Sequence, residues 1–213
     1  MYVLHYAPDN ASLIIRLALE ERGLSFTTAL VDRDARDQDA PAYLALNPTG
    51  QIPVLETPDG PLFETGAILL WLADRHDPAP SAADRLDQLK WLFFLSNTAH
   101  AELRQLFYAH LYVPHEAEPA HHARVVLRMH RHFALLEVEV EEKPRLWAAG
   151  SVLTPYLCVL MRWSVLYPDG QTPWFDHARY PALAAVAKAY EAVPAAMRAA
   201  DAEGLGPTPF SAP

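Results

Sequence analysis

Short apolar runs and amphipathic stretches alternate along the first third of the chain. Tyr2 to Tyr6 is brief and rich in aromatic and branched residues, which predicts a strand. Pro8, Asp9 and Asn10 predict a turn, and a helix follows from about Ala11 to Arg22. Leu13, Ile14, Leu17 and Ala18 form its apolar face, and Gly23 stands at the expected C-cap. Phe26 to Val31 predicts a second strand, Asp32 to Asp39 a charged loop, and Pro41 to Leu46 a short helix. Ile52 to Glu56 and Pro61 to Glu64 bracket Pro58-Asp59-Gly60 as a hairpin. Thr65 to Arg75 is helical again, with Ile68, Leu69 and Leu72 facing inward. A crossover helix between the first two strands makes them parallel, and the hairpin adds antiparallel strands. The expectation is a mixed four-stranded sheet with helices.

Asp77-Pro78-Ala79-Pro80-Ser81 is short, polar and proline-rich, the pattern of a domain boundary. Beyond it the period is helical throughout. Asp84 to Tyr112 and Pro119 to Glu142 read as long helices, Pro155 to about Trp163 as a third, and Tyr180 to Ala200 as one or two more. The expected organisation is therefore a sheet-containing domain over 1–76, a linker over 77–83 and an all-helical domain over 84–213.

Charge narrows the choice of partner. The chain has 26 acids against 17 Lys and Arg, a formal net charge of −9. That disfavours nucleic acid and an anionic membrane surface as main partners, since both need clustered cations. The single cysteine, Cys158, permits no intrachain disulfide. No apolar run approaches the roughly 18–20 residues of a membrane span, and no leader pattern opens the chain. The expected location is the cytoplasm. The ten histidines form no His-Glu-x-x-His box, and most of those between His110 and His132 fit a solvated helix face rather than a metal site.

The segment Asn47-Pro48-Thr49-Gly50-Gln51-Ile52-Pro53-Val54-Leu55, followed by Phe63-Glu64-Thr65, carries the most chemistry. A proline in a strand removes a ladder donor and belongs at an edge or bend. A kink there leaves the N–H and C=O of Ile52 open to an outside peptide. Glu64 and Thr65, at a helix start, suit an amino-acid head group. The same residues also read as a plain hairpin followed by a capped helix.

In order and spacing these strings resemble the cytosolic glutathione transferase family along the whole chain. The resemblance rests on Leu4-His5-Tyr6-Ala7-Pro8, on the Asn47–Leu55 string, on Glu64-Thr65-Gly66-Ala67-Ile68, on Pro78 at the linker and on Tyr180-Pro181-Ala182-Leu183 with the later Pro194. It implies a thioredoxin-like first domain, an all-α second domain, a homodimer, and glutathione as co-substrate. It also implies a cis bond before Pro53, Ile52 pairing by its backbone with the cysteinyl part, Glu64 and Thr65 holding the γ-glutamyl group, and Gln51 reaching the glycyl carboxylate. The opening is similar to bacterial members, but their cysteine position is Ala11 here, so the cysteine-based disulfide chemistry of such relatives does not carry over.

The task the resemblance sets is to stabilise a thiolate, the nucleophilic form of glutathione. A helix N-terminus and a nearby side-chain donor both do this. Asn10 and Ser12 are the candidate donors, with Tyr6 at the strand end as a third; both Asn10 and Ser12 also suit a plain N-cap. Trp91, Phe94, Tyr108, Tyr112 and Trp163 are candidate walls for an apolar electrophile or bundle core, and His100 follows the spacing of a histidine near the thiol in bacterial relatives. Thr154 is the expected hydroxyl N-cap of the inner helix, although Leu157 replaces the aspartate that usually answers it. Three functions fit: a transferase attacking a hydrophobic electrophile, a glutathione-fold binding or regulatory protein without turnover, and a glutathione-dependent isomerase, dehalogenase or peroxidase.

Overall fold

A computed structural model describes residues 1–213. Strand β1 (Tyr2–Tyr6) leads into helix α1 (Ser12–Glu21), strand β2 (Phe26–Leu30) and short helix α2 (Pro41–Leu44). The hairpin β3 (Val54–Thr57) and β4 (Gly60–Phe63) is followed by α3 (Thr65–His76). The sheet order is β2-β1-β3-β4. β1 runs parallel to β2, with Tyr2 opposite Phe26, and antiparallel to β3, with His5 opposite Val54. This is the mixed four-stranded sheet that the pattern predicts, in the thioredoxin-like arrangement that the resemblance implies.

Local chemistry sets the element ends. Gly23, at φ +60°, closes α1: its N–H donates to Glu20 O and that of Leu24 to Leu19 O. This paired bonding is a Schellman stop, and only glycine enters the left-handed region at little cost. In the hairpin, Thr57 pairs directly with Gly60, leaving Pro58-Asp59 as a two-residue loop.

The rest of the chain is helical: α4 (Ala82–Phe94), α5 (Ala101–Phe107), α6 (Glu118–Glu142), α7 (Leu153–Leu166), α8 (Pro181–Glu191) and α9 (Pro194–Ala202). No helix is long and apolar enough to cross a membrane. The expected continuous helix over 84–112 is instead interrupted. Leu95–His100 is π-helical, and α5 ends at Tyr108, whose backbone (φ −129°, ψ 45°) has left the helical region. No proline or glycine lies in this stretch, so nothing in its composition announces the break. The inner helix α7 begins two residues earlier than expected. Thr154 is inside its first turn, where its hydroxyl donates to Ala148 O at 2.7 Å, and Ser151 Oγ accepts from Leu153 N instead.

The chain forms two compact units, Met1–Pro80 with Pro194–Leu205, and Ser81–Val193 with Gly206–Pro213. This differs from the expectation that everything from 84 onward is one helical domain. Helix α9 belongs to the first unit because it lies on α1. Its buried face is Ala196, Ala199 and Ala200, small enough for a close approach of two helices. In the second unit α7 is buried almost all round, and Trp147, Tyr156 and Phe133 are among the largest enclosed side chains.

Two features of the second unit yield predictions. The Glu137 carboxylate accepts from the backbone N–H groups of Ala182 at 2.7 Å and Leu183 at 2.9 Å, so a side chain of α6 caps α8. Glu137→Ala should cost about 1–2 kcal/mol, read from urea denaturation; a loss under about 0.5 kcal/mol would remove this capping role. His100 lies 3.0 Å (Nδ1) from the Tyr156 hydroxyl, and burial, with Arg104 adding to it, pulls its pKa from 6.5 down to about 4. A histidine with a depressed folded-state pKa contributes stability above its unfolded pKa and loses it as pH falls toward the folded value. Melting temperature should therefore fall less steeply between pH 6.5 and about 4 in His100→Gln than in the parent. Parallel curves would refute the assignment.

Candidate functional site

The candidate site stands where three chain segments meet at one end of the sheet. β1 ends at Tyr6, β3 starts at Val54, and β4 ends at Phe63 opposite Val54. Register therefore brings the turn after Tyr6, the residues before Val54 and the residues after Phe63 to the same edge. Helices α1 and α3 both begin there, so both point their N-termini at it. The open first N–H groups of α3 and two positive dipole ends favour an anionic ligand.

The segment before β3 is held from beneath. Asn47 is 1% exposed. Its Nδ2 donates to Gln51 O at 2.7 Å, and its Oδ1 accepts from the N–H (3.0 Å) and hydroxyl (2.8 Å) of Thr49. The Tyr43 hydroxyl donates to the same Gln51 carbonyl at 2.8 Å. Burial pushes the Tyr43 pKa up to about 12, so this donor stays protonated. Gly50, at φ +63°, completes the turn, and a Cβ there would lie 3.3 Å from Gln38 O. The Ile52-Pro53 bond is cis. The Ile52 side chain packs against the buried Val31, Tyr43 and Val54, while its backbone lies outside the strand pairing. Gln51 is exposed.

Glu64 joins β4 to α3. Its φ is +71° and ψ 112°, a conformation that costs a non-glycine residue about 1–3 kcal/mol. Its C=O accepts from Ile68 N at 2.9 Å, which makes it the N-cap residue, yet no side chain caps α3. The first N–H groups of the helix are thus left for another acceptor. Glu64 is exposed and Thr65 is buried.

The third segment is the turn between Tyr6 and α1. Asp9 has a left-handed φ of +48°. Asn10 Oδ1 accepts from Ala11 N at 2.7 Å. With its oxygen so engaged, the Nδ2 protons of Asn10 are the unspent donors of this turn. Ser12 differs from the expectation of a thiolate donor. It is fully buried, its Oγ donates to Ala7 O at 3.0 Å, and it accepts from Ala7 N at 3.3 Å. Its single proton is committed to the protein, and it staples the turn to the start of α1. Tyr6 lies half-buried under the Arg16 guanidinium, 4.9 Å from its ring centre.

Sequence reasoning missed three residues here. Asn47 and Tyr43 hold the Gln51 carbonyl, and the Asn47 side chain was readable as a turn former. Glu203 carried no such signal. Its Oε2 accepts from Asp9 N at 2.9 Å and its Oε1 from Arg16 Nε at 2.8 Å, across nearly the whole chain length. Burial raises the Glu203 pKa, while the Asp9 N–H and Arg16 oppose that rise.

The candidate electrophile walls lie in the second unit. Trp91 meets Trp147 and Phe94 meets His132, so both serve its core. Trp163 contacts His100 and Phe107. Tyr112 is exposed, with its hydroxyl 2.6 Å from Arg104 Nη1. No group of three or more potential metal ligands assembles anywhere.

The family model described as glutathione S-transferase, N-terminal domain, matches residues 1–74. Glutathione S-transferase GstA of Escherichia coli O157:H7 is 31% identical over 171 residues, covering 76% of this chain and 81% of that protein. Glutathione S-transferase GST-4.5 of Xanthomonas campestris is 30% identical over 175 residues, with the same coverage. A sphingomonad glutathione S-transferase, solved in complex with glutathione, superposes with a TM-score of 0.77 at 31% identity, covering 96% of this chain and 100% of that one. With a sequence likeness over three quarters of the chain and a structural likeness over nearly all of it, the chain belongs to the glutathione S-transferase family.

Proposed function

We propose that this protein binds glutathione at the sheet edge and activates its thiolate for attack on a hydrophobic electrophile. The observation that carries the reading is the convergence on one edge of an off-ladder Ile52 backbone, an uncapped α3 under a strained Glu64, and an Asn10 amide with unspent protons. Ile52 pairs with the cysteinyl backbone of glutathione. The γ-glutamyl carboxylate takes the open N–H groups of α3 with the Thr65 hydroxyl, and the Glu64 carboxylate takes the ammonium group. Gln51 reaches the glycyl end. Pro53 ends the strand pairing so that the peptide can lie alongside.

The sulfur then lies by the turn before α1. There the Asn10 Nδ2 group and the α1 dipole favour the anion over the thiol, and the proton leaves to solvent. The thiolate forms a carbon–sulfur bond to the electrophile, which either expels a leaving group with the bonding pair or accepts a proton after addition. Ser12 supports this by holding the turn rather than by touching sulfur. The biological setting we infer is a cytoplasmic homodimer in detoxification. Leu86 and Phe93 on α4, with Leu127, Leu135 and Val138 on α6, are exposed apolar side chains that a second copy would cover.

Turnover with several electrophiles separates a transferase from a binding protein on the same fold. Glutathione binding by calorimetry should weaken by about 1.5–3 kcal/mol in Glu64→Ala, the loss of a charged hydrogen bond. Undiminished affinity would remove Glu64 from the site. Glu64→Gly should bind equally poorly yet be more stable than Glu64→Ala by about 1 kcal/mol, because glycine tolerates the left-handed backbone. Asn10→Ala should lower kcat about tenfold or more, whereas Ser12→Ala should mainly lower stability, by about 1–3 kcal/mol, through the stranded Ala7 backbone groups. If Asn10→Ala keeps full turnover, another group faces the sulfur.

A further inference from the structure

Asn10 can serve a thiolate only if the turn that carries it is held in one conformation. The residue before it, Asp9, sits at φ +48°, where a side chain is disfavoured. Something must hold it there. The Asp9 N–H donates to the Glu203 carboxylate at 2.9 Å, and the other oxygen of that carboxylate takes Arg16 Nε at 2.8 Å. The Glu203 side chain is 0% exposed and that of Arg16 is 7% exposed. One enclosed carboxylate thus ties the turn to the second turn of α1.

Glu203 itself is fixed. It stands directly before the glycine of the α9 stop: Gly204, at φ +68°, donates to Asp201 O at 3.1 Å, and Leu205 donates to Ala200 O at 3.0 Å. That paired bonding sets the direction in which the Glu203 side chain leaves. The alanine face of α9 against α1 sets its height. Arg16 is steadied in turn over the Tyr6 ring, at 4.9 Å. All of these residues lie in one compact unit.

We propose that Glu203 is a positioning residue for thiolate activation: through the Asp9 N–H and Arg16 it holds the turn that aims Asn10 and the α1 N-terminus at the glutathione sulfur. The inference rests on the glutathione-transferase reading above. It gives the C-terminal helix a part in the chemistry of the first domain. It also separates two kinds of residue. Glu64, Thr65 and Ile52 hold the body of glutathione, and Glu203 acts on its sulfur alone.

The test uses the full-length protein and glutathione. The pKa of the bound thiol is read from thiolate ultraviolet absorbance against pH, alongside kcat, KM and affinity by calorimetry. In Glu203→Gln the amide nitrogen must face one of two donors, so one contact is lost. The expected result is a raised thiol pKa and a kcat lowered about tenfold or more, with KM and affinity within about twofold, since a small displacement of a reacting group suffices for such a loss. Arg198→Ala breaks the ion pair with Glu20 on the same two helices (3.1 Å) without touching the turn, and should leave the thiol pKa and kcat unchanged. Asp9→Gly, placed in the Glu203→Gln background, removes the backbone penalty and should restore part of the lost kcat and thiol pKa. If Glu203→Gln does not fold, Arg16→Lys takes its place, keeping the charge but displacing the donor, with the same expected shift. A thiol pKa unchanged in these variants, or a loss equal to that of Arg198→Ala, overturns the positioning role and leaves the transferase reading intact. Failure of the parent protein to bind glutathione overturns both.

Discussion

Strand β3 cannot extend past Val54, and the candidate site follows from that limit. Pro53 has no N–H to give, so the ladder with β1 and β4 starts one residue later and the chain turns away. The backbone of Ile52 is left beside the sheet with its polar groups unclaimed by a strand, while its side chain remains in the core with Val31, Tyr43 and Val54. Because β1 ends and β4 ends at the same edge, the starts of α1 and α3 are drawn to it as well. The bend thereby places a free stretch of backbone beside two helix N-termini.

The shape of that edge depends on side chains bonded within the protein. Asn47 and Tyr43 both donate to the Gln51 carbonyl. Ser12 saturates both backbone groups of Ala7. Glu203 takes the Asp9 N–H. Each is a buried or half-buried polar group with its partners supplied, as enclosed polar groups require. The strained backbones of Asp9 and Glu64 stand next to these anchors, consistent with strain persisting only where its surroundings fix it. The shape of the candidate site and the stability of the first unit therefore depend on the same small set of hydrogen bonds.

The helices and strands of the first unit were legible because local signals agree there. Gly23 stops α1, Pro58-Asp59 turns the hairpin, and the apolar spacing of Ile68, Leu69 and Leu72 matches the inner face of α3. Legibility fell where local signals were silent. Leu95–His100 becomes π-helical with no glycine or proline to mark it. Ser12 has the composition of a donor or a cap, and only its burial against Ala7 decides between stapling the turn and facing a ligand. Thr154 looked like a cap and proved to be a first-turn residue bonded back to Ala148.

The sequence by itself determined the type of most elements, the bend before Val54 and the residue chemistry offered at the sheet edge. These follow from proline, glycine and apolar spacing, which act within a few residues. The tertiary structure alone decided that α9 belongs with α1, that Glu203 reaches Asp9, and which hydroxyl or amide keeps a proton to spare. The third turns on side-chain bonds within a single turn, whereas the first two depend on contacts between residues almost two hundred positions apart. A hydrogen bond over that separation depends on the packing of two helices, and no local pattern of residues encodes it.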